Sequence, residues 1–171
     1  MGALNATLPR DIRVREVTEM PVEFDARRAA LGKRYLYLID NDAVPSPLLR
    51  RYAWHVPWRL DVSAMRAAMT PLRGRQDFSA FCASAGRQKT PDCVVRAIHV
   101  IRRKERLALF ISADRYLHHM VRTIVGSAAE VGRGARSGDW LGAALDSRDR
   151  RRAGPTAPAH GLTLVRVLYP G

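Results

Sequence analysis

The chain has 171 residues, enough for one domain with its own core. Its formal net charge of +13 is spread along the whole length and points to a polyanionic partner, with nucleic acid the first candidate, although a basic but inert surface gives the same balance. Only Cys82 and Cys93 occur, without metal-ligand spacing or a disulfide framework, and no apolar run reaches membrane-spanning length, so a reducing, cytoplasmic setting without a membrane role is expected.

Met1 to Pro9 reads as a loop, and Asp11 to Val17 alternates as a short strand without a nearby partner. Phe24-Asp25-Ala26-Arg27-Arg28 precedes the β-rich run Lys33 to Ile39. Tyr35, Tyr37 and Ile39 share one face of that run and Leu36 and Leu38 the other, as in a central strand. Basic residues around aromatics suit phosphate contacts beside a stacked base, although a core strand with packed tyrosines explains the same pattern. Asn41 to Ser46 is a turn, and Arg51 to Trp58 a short aromatic strand or extended segment. Asp61 is placed to cap a helix over Val62 to Leu72, with Met65, Ala68, Met69 and Leu72 inward. Ala85-Gly86-Arg87-Gln88-Lys89 is a basic loop rich in donors, fit to grip phosphates or simply to lie at the surface.

Val94 to Arg103 and Leu107 to Ala113 form a hairpin across Lys104-Glu105. Next comes a helix from about Tyr116 to Val131, its buried stripe being Leu117, Met120, Val121, Ile124, Val125 and Ala128. His118, Arg122 and Gly126 are four residues apart, which predicts a column on the flank of that stripe. It would hold a cation beside the core above a small residue that something can approach, although a solvated helix flank with an ordinary surface arginine explains the same spacing. Ser137 is placed to cap a further helix through Asp146, and Gly161 to Tyr169 is the last strand. From Phe24 onward the main elements give an α+β, ferredoxin-like antiparallel sheet with helices on one face.

These residues resemble the tRNA pseudouridine synthase A family. The resemblance is carried by Leu4-Asn5-Ala6-Thr7-Leu8-Pro9-Arg10-Asp11-Ile12, Phe24-Asp25-Ala26-Arg27, Arg34-Tyr35-Leu36-Tyr37 and Asp77-Phe78-Ser79-Ala80-Phe81. Arg87-Gln88-Lys89-Thr90-Pro91, Leu117-His118-His119-Met120-Val121-Arg122 with Gly126, and Glu130-Val131-Gly132 continue it. Gly154-Pro155-Thr156-Ala157-Pro158 with Gly161-Leu162-Thr163-Leu164 complete it. The resemblance implies isomerisation of uridine to pseudouridine in the tRNA anticodon stem-loop, without metal or organic cofactor. It makes Arg122 the partner of a nucleophilic aspartate, Tyr35 the ring that stacks on the uracil, and Leu162 part of the base pocket. Phe24, Asp25, Ala26, Arg27, Arg28, Ala85, Gly86, Arg87, Gln88, Lys89 and His118 would touch RNA. It also implies a homodimer.

The family's aspartate sits in a Gly-Arg-Thr-Asp segment upstream of the first block. No aspartate here, from Asp11 to Asp149, has that context. Residues 1–21 are therefore expected to be the tail of the family's N-terminal half, and residues 22–171 its C-terminal α/β domain. Alone, the chain is expected to lack the nucleophile and to need the missing N-terminal half. The alternative is a non-catalytic RNA-binding module that kept the grip.

Overall fold

A computed structural model describes residues 1–83 and 90–170. The central strand β1, Gly32–Asp40, is long because its β-branched and aromatic residues fit a pleated surface with neighbours on both sides. It pairs antiparallel with β5, Arg106–Ala113, on one side and with β6, Leu162–Leu168, on the other. β4, Asp92–Arg103, pairs antiparallel with β5. These four lie in the order β6-β1-β5-β4, the ferredoxin-like arrangement, all antiparallel. Two short strands extend the sheet. β2, Trp54–His55, runs parallel to the end of β1, and β3, Gly74–Asp77, pairs with the start of β4.

Alternation sets the two faces. Tyr37, Ile39, Leu107, Leu109, Ile111, Ile98 and Val100 are buried on one face. They join a single core with Met65 and Met69 of α2, Val62–Met69, and with Ile124, Val125 and Ala128 of α3, Met120–Gly132. Leu141, Ala144 and Leu145 of α4, Trp140–Ser147, complete it. Burying each large aliphatic side chain contributes about 1.5–3 kcal/mol before chain entropy is counted. On the opposite face Leu36, Leu38, Ala108 and Phe110 stay half-exposed, and Ile101 keeps 46% of its surface.

One sheet edge is closed by side chains. Beyond the Gly74 end of β3, the Ile98 carbonyl of β4 accepts from Arg73 Nη2 at 2.9 Å. The Val100 carbonyl accepts from Arg66 Nε at 2.9 Å and Nη2 at 2.6 Å. The other side is bounded by β6, where Leu164 and Val165 remain about half exposed.

Several expectations need correction. The strand expected at Asp11 to Val17 does not form, because a strand requires a ladder partner and none of the described residues provides one. Instead Asn5 clamps Val14, donating to its carbonyl and accepting its N–H, both at 2.8 Å. Asn5 belongs to a helix, α1, Gly2–Thr7, where a loop was expected. The long helix begins at Met120 rather than Tyr116, because His119 adopts a left-handed φ of 61°. Such a φ costs a non-glycine residue roughly 1–2 kcal/mol and cannot continue a right-handed helix. His118 thus lies before the helix and outside the column of Arg122 and Gly126. Ser137 does not cap α4. Asp139 is its N-cap, and the Ser137 carbonyl accepts from Trp140 N. Asp61 does cap α2, accepting from Ser63 N and Ala64 N.

Gly126 meets the segment Gly154 to Pro158, and a Cβ there would overlap the Pro155 carbonyl oxygen. Gly126→Ala should therefore lower stability by about 1–3 kcal/mol, read from the urea midpoint, as overpacking does. An unchanged midpoint would show that this contact is slack. Cys93 is buried, and its thiol pKa is pushed up to about 11 by burial. In the native chain it should react with a thiol reagent at pH 8 far more slowly than in denaturant. Equal rates would contradict the packing described.

Candidate active site

The site is built where α3, β1 and the segment before β6 meet. Arg122 stands one turn into α3, half-buried. Its Nε donates to the Ala157 carbonyl at 2.6 Å, and its own carbonyl accepts from Ala157 N at 3.1 Å. One bond from the side chain and one from the backbone, both to Ala157, fix Arg122 against the segment that leads into β6. Further along, Ser127 Oγ accepts from Gly154 N at 2.9 Å and donates to the Thr123 carbonyl at 2.8 Å. The small residue below the cation is thus approached by the chain's own backbone.

Tyr37 lies fully buried beside this seam, and its hydroxyl donates to the Pro158 carbonyl at 2.7 Å. Burial pushes its phenol above the usual range, while the nearby Arg122 charge acts in the opposite direction. In the β1–β6 ladder Tyr37 stands opposite Leu162, and Tyr35 opposite Leu164. Residues two apart on a strand share a face, so Tyr35, Tyr37 and Leu162 all look toward α3. Tyr35 is half-buried and held edge-to-face by Tyr116, with ring centroids 4.9 Å apart. The Tyr116 hydroxyl reaches the carbonyls of Lys33 and Ile111, which fixes that ring in turn.

The ion pairs among the described residues are Arg28–Asp25, Arg102–Glu105, Arg133–Glu130, Arg148–Asp77 and Arg151–Asp149. None involves Arg122. The site can therefore flank a planar, largely apolar group and present a fixed guanidinium to an anion.

At the start of α3 the His118 and His119 rings stack at 3.8 Å. His119 is held below the ordinary imidazole range, first by burial, then by His118, Arg122 and Arg150. His118 is exposed.

The Phe24–Arg28 turn lies at the far end of β6. Phe24 meets Tyr169 edge-on at 5.6 Å, and the Tyr169 hydroxyl donates to the Ala26 carbonyl. Asp25 accepts from the backbone N–H groups of Arg28 and Arg27, which holds its carboxyl below the ordinary range. Ala26, Arg27 and Arg28 are exposed. This turn is near the Gly32 end of β1, three residues from Tyr35, or about 10 Å along the strand. Ala85, Gly86, Arg87, Gln88 and Lys89 lie outside the described residues.

Sequence reasoning singled out Arg122, Tyr35 and Leu162, which the fold brings to one seam. It missed Ala157, Tyr37 and Tyr116 as the groups that set their positions. For Ala157 the available signal was the turn-forming run Gly154-Pro155-Thr156-Ala157-Pro158, whose backbone carbonyls needed a donor.

Comparison with known proteins gives a consistent picture. The model of a family described as tRNA pseudouridine synthase matches residues 68–170. A tRNA pseudouridine synthase A from Chloroflexus aurantiacus is 45% identical over 174 aligned positions, covering 98% of this chain and 62% of that protein. Its counterpart from Methylobacterium nodulans is 44% identical, covering 98% of this chain and 66% of that protein. The one from Acetivibrio thermocellus is 43% identical, covering 98% and 68%. The chain thus spans about two thirds of the length of the curated relatives it matches. The family match takes in α3 with Arg122 and β6 with Leu162, and the relatives align over nearly the whole chain: it belongs to the tRNA pseudouridine synthase family.

Proposed function

We propose that this chain supplies the base pocket and the orienting arginine of an enzyme that isomerises uridine to pseudouridine in the anticodon stem-loop of tRNA. The observation that carries this reading is Arg122. Its guanidinium is half-buried, pinned to Ala157, close enough to Tyr37 for its charge to act on that phenol, and paired with no carboxylate among the described residues. An anion is what such a guanidinium can receive.

In the proposed reaction the bond from ribose C1′ to uracil N1 breaks, the base rotates, and C1′ rejoins through C5, with loss of the C5 proton and gain of one at N1. A carboxylate acts at the sugar as nucleophile or base. Arg122 keeps that group ionised and aimed. The carboxylate would come from a segment outside these 171 residues, placed against Arg122 by the missing N-terminal half. Tyr35 replaces the stacking lost when the uridine leaves its helix, and Leu162 limits water around the base. The Phe24–Arg28 turn, the Ala85–Lys89 loop and His118 would hold the RNA. The half-exposed β6 edge suits pairing with a sheet of the N-terminal half. The apolar sheet face around Leu38, Ile101, Ala108 and Phe110 borders a cleft of about 1010 Å³ and fits a second copy, as expected of a homodimer.

The alternative, a non-catalytic RNA-binding module, draws on the lack of a carboxylate facing Arg122 among the described residues. The two readings separate on one experiment. The chain is mixed with the N-terminal half of a relative and tritium release from C5-labelled uridine in tRNA is followed. Activity in the mixture and none in either piece is the expected result. Arg122→Ala should then lower turnover on the order of 10²-fold or more, with little change in tRNA affinity. Full activity in that variant would remove Arg122 from the mechanism. The affinity for tRNA should fall steeply with added salt, since Lys and Arg displace counterions. A flat salt response would contradict the electrostatic role of the basic surface.

A further inference from the structure

A second basic surface lies away from the Arg122 seam. Between the end of α3 and the segment before Pro155 is a hollow of about 390 Å³. Its lining includes Glu130, Arg136, Trp140, Arg151, Arg152 and the backbone of Gly154. Arg136, Arg151 and Arg152 are exposed. The Arg136 guanidinium lies 4.9 Å from the centroid of the Trp140 ring. Stacking of this kind holds the plane of the cation while its edge N–H groups remain turned outward.

The carboxylates around the hollow are already engaged. Glu130 receives Arg133 Nε at 3.0 Å and Nη2 at 2.6 Å. Asp149 receives Arg151 Nε at 3.1 Å and Nη2 at 2.8 Å. No ion pair among the described residues takes up Arg136 or Arg152. Two cations outside any ion pair thus line one hollow, Arg152 sharing only the longer-range field of Asp149, beside two more arginines paired with acids.

We propose that this hollow is a second phosphate-binding surface, which takes the backbone of the RNA outside the target nucleotide through Arg136 and Arg152. The inference rests on the RNA-modifying reading above. The geometry links the two places. Gly154 sits against Ser127 in the hollow's wall, and Ala157 holds Arg122 three residues on. Glu130 is eight residues along α3 from Arg122, about 12 Å. A strand that fills the hollow therefore presses on the same short segment that fixes Arg122. RNA is favoured as occupant because planar guanidinium forks match phosphate oxygens, and the half-buried Trp140 ring that carries Arg136 lines the same hollow. The hollow's acids, already neutralised, do not repel it.

The test uses the 171-residue chain and an unmodified tRNA transcript in filter binding across a NaCl series. Arg136→Ala/Arg152→Ala is compared with wild type and with Arg50→Ala/Arg51→Ala, which removes equal charge elsewhere. All four side chains belong to exposed or half-buried surface residues, and circular dichroism checks that each variant folds. The expected result is at least a tenfold loss of affinity at low salt for the first pair. Its slope of log affinity against log salt should shrink by about 1.5, two lost phosphate contacts. The control pair should lose clearly less. Equal losses in both pairs would reduce the hollow to general charge and overturn the proposal. Unchanged binding by Arg136→Ala/Arg152→Ala, with wild type binding normally, would overturn it while leaving the proposed function standing. Failure of wild type itself to bind tRNA would strike the reading on which both depend.

Discussion

The docking of residues 154–158 onto α3 is the constraint on which the site depends. Gly126 allows backbone to touch backbone, and Ser127 and Arg122 then supply donors and acceptors at that contact. Tyr37 adds a bond from the sheet. A segment entering β6 is thereby tied to the helix and to the central strand at once. If it moved by one residue, Leu162 would leave Tyr37, and β6 would present its other face to the core. The position of the cation and that of the pocket wall are therefore a single structural decision.

Much of the fold can be read in the residues, for definable reasons. β1, β4 and β5 are short runs of aromatic, aliphatic and β-branched residues with apolar side chains on both faces, and α3 carries apolar residues at helical spacing, so the element types are legible from pattern and composition. Asp61 announces the start of α2 because a short acceptor there satisfies orphan N–H groups. What was not legible depended on partners far away in sequence. Asp11 to Val17 alternates like a strand but has nothing to pair with. Gly74 to Asp77 is polar and does pair, because β4 offers an edge. The start of α3 was misplaced because a left-handed His119 leaves no mark in composition.

The site shows the same division. Residue type and spacing set Arg122 beside a buried stripe with glycine one turn later, a pattern that an ordinary surface arginine also fits, and the family resemblance is what gave it a role. They do not say what approaches. The answer, a carbonyl-rich turn 35 residues downstream, depends on the antiparallel return of β6 along β1. Tyr35 was legible as an aromatic on the core face, whereas the Tyr116 ring that orients it comes from the end of the hairpin.

The guanidinium groups of Arg66 and Arg73 on the β4 carbonyls have a consequence for how copies of the molecule meet. Arginine occurs 26 times in the chain and lysine three times. At this edge the preference has a geometric basis, since a planar fork can place two N–H groups on one carbonyl and an ammonium cannot. The same groups leave a row of positive charge along the strand. Two such borders repel one another, so the device that satisfies the strand's acceptors also discourages stacking of sheets side by side at high concentration. A basic composition suited to gripping RNA thus also acts, on this border, as protection against self-association.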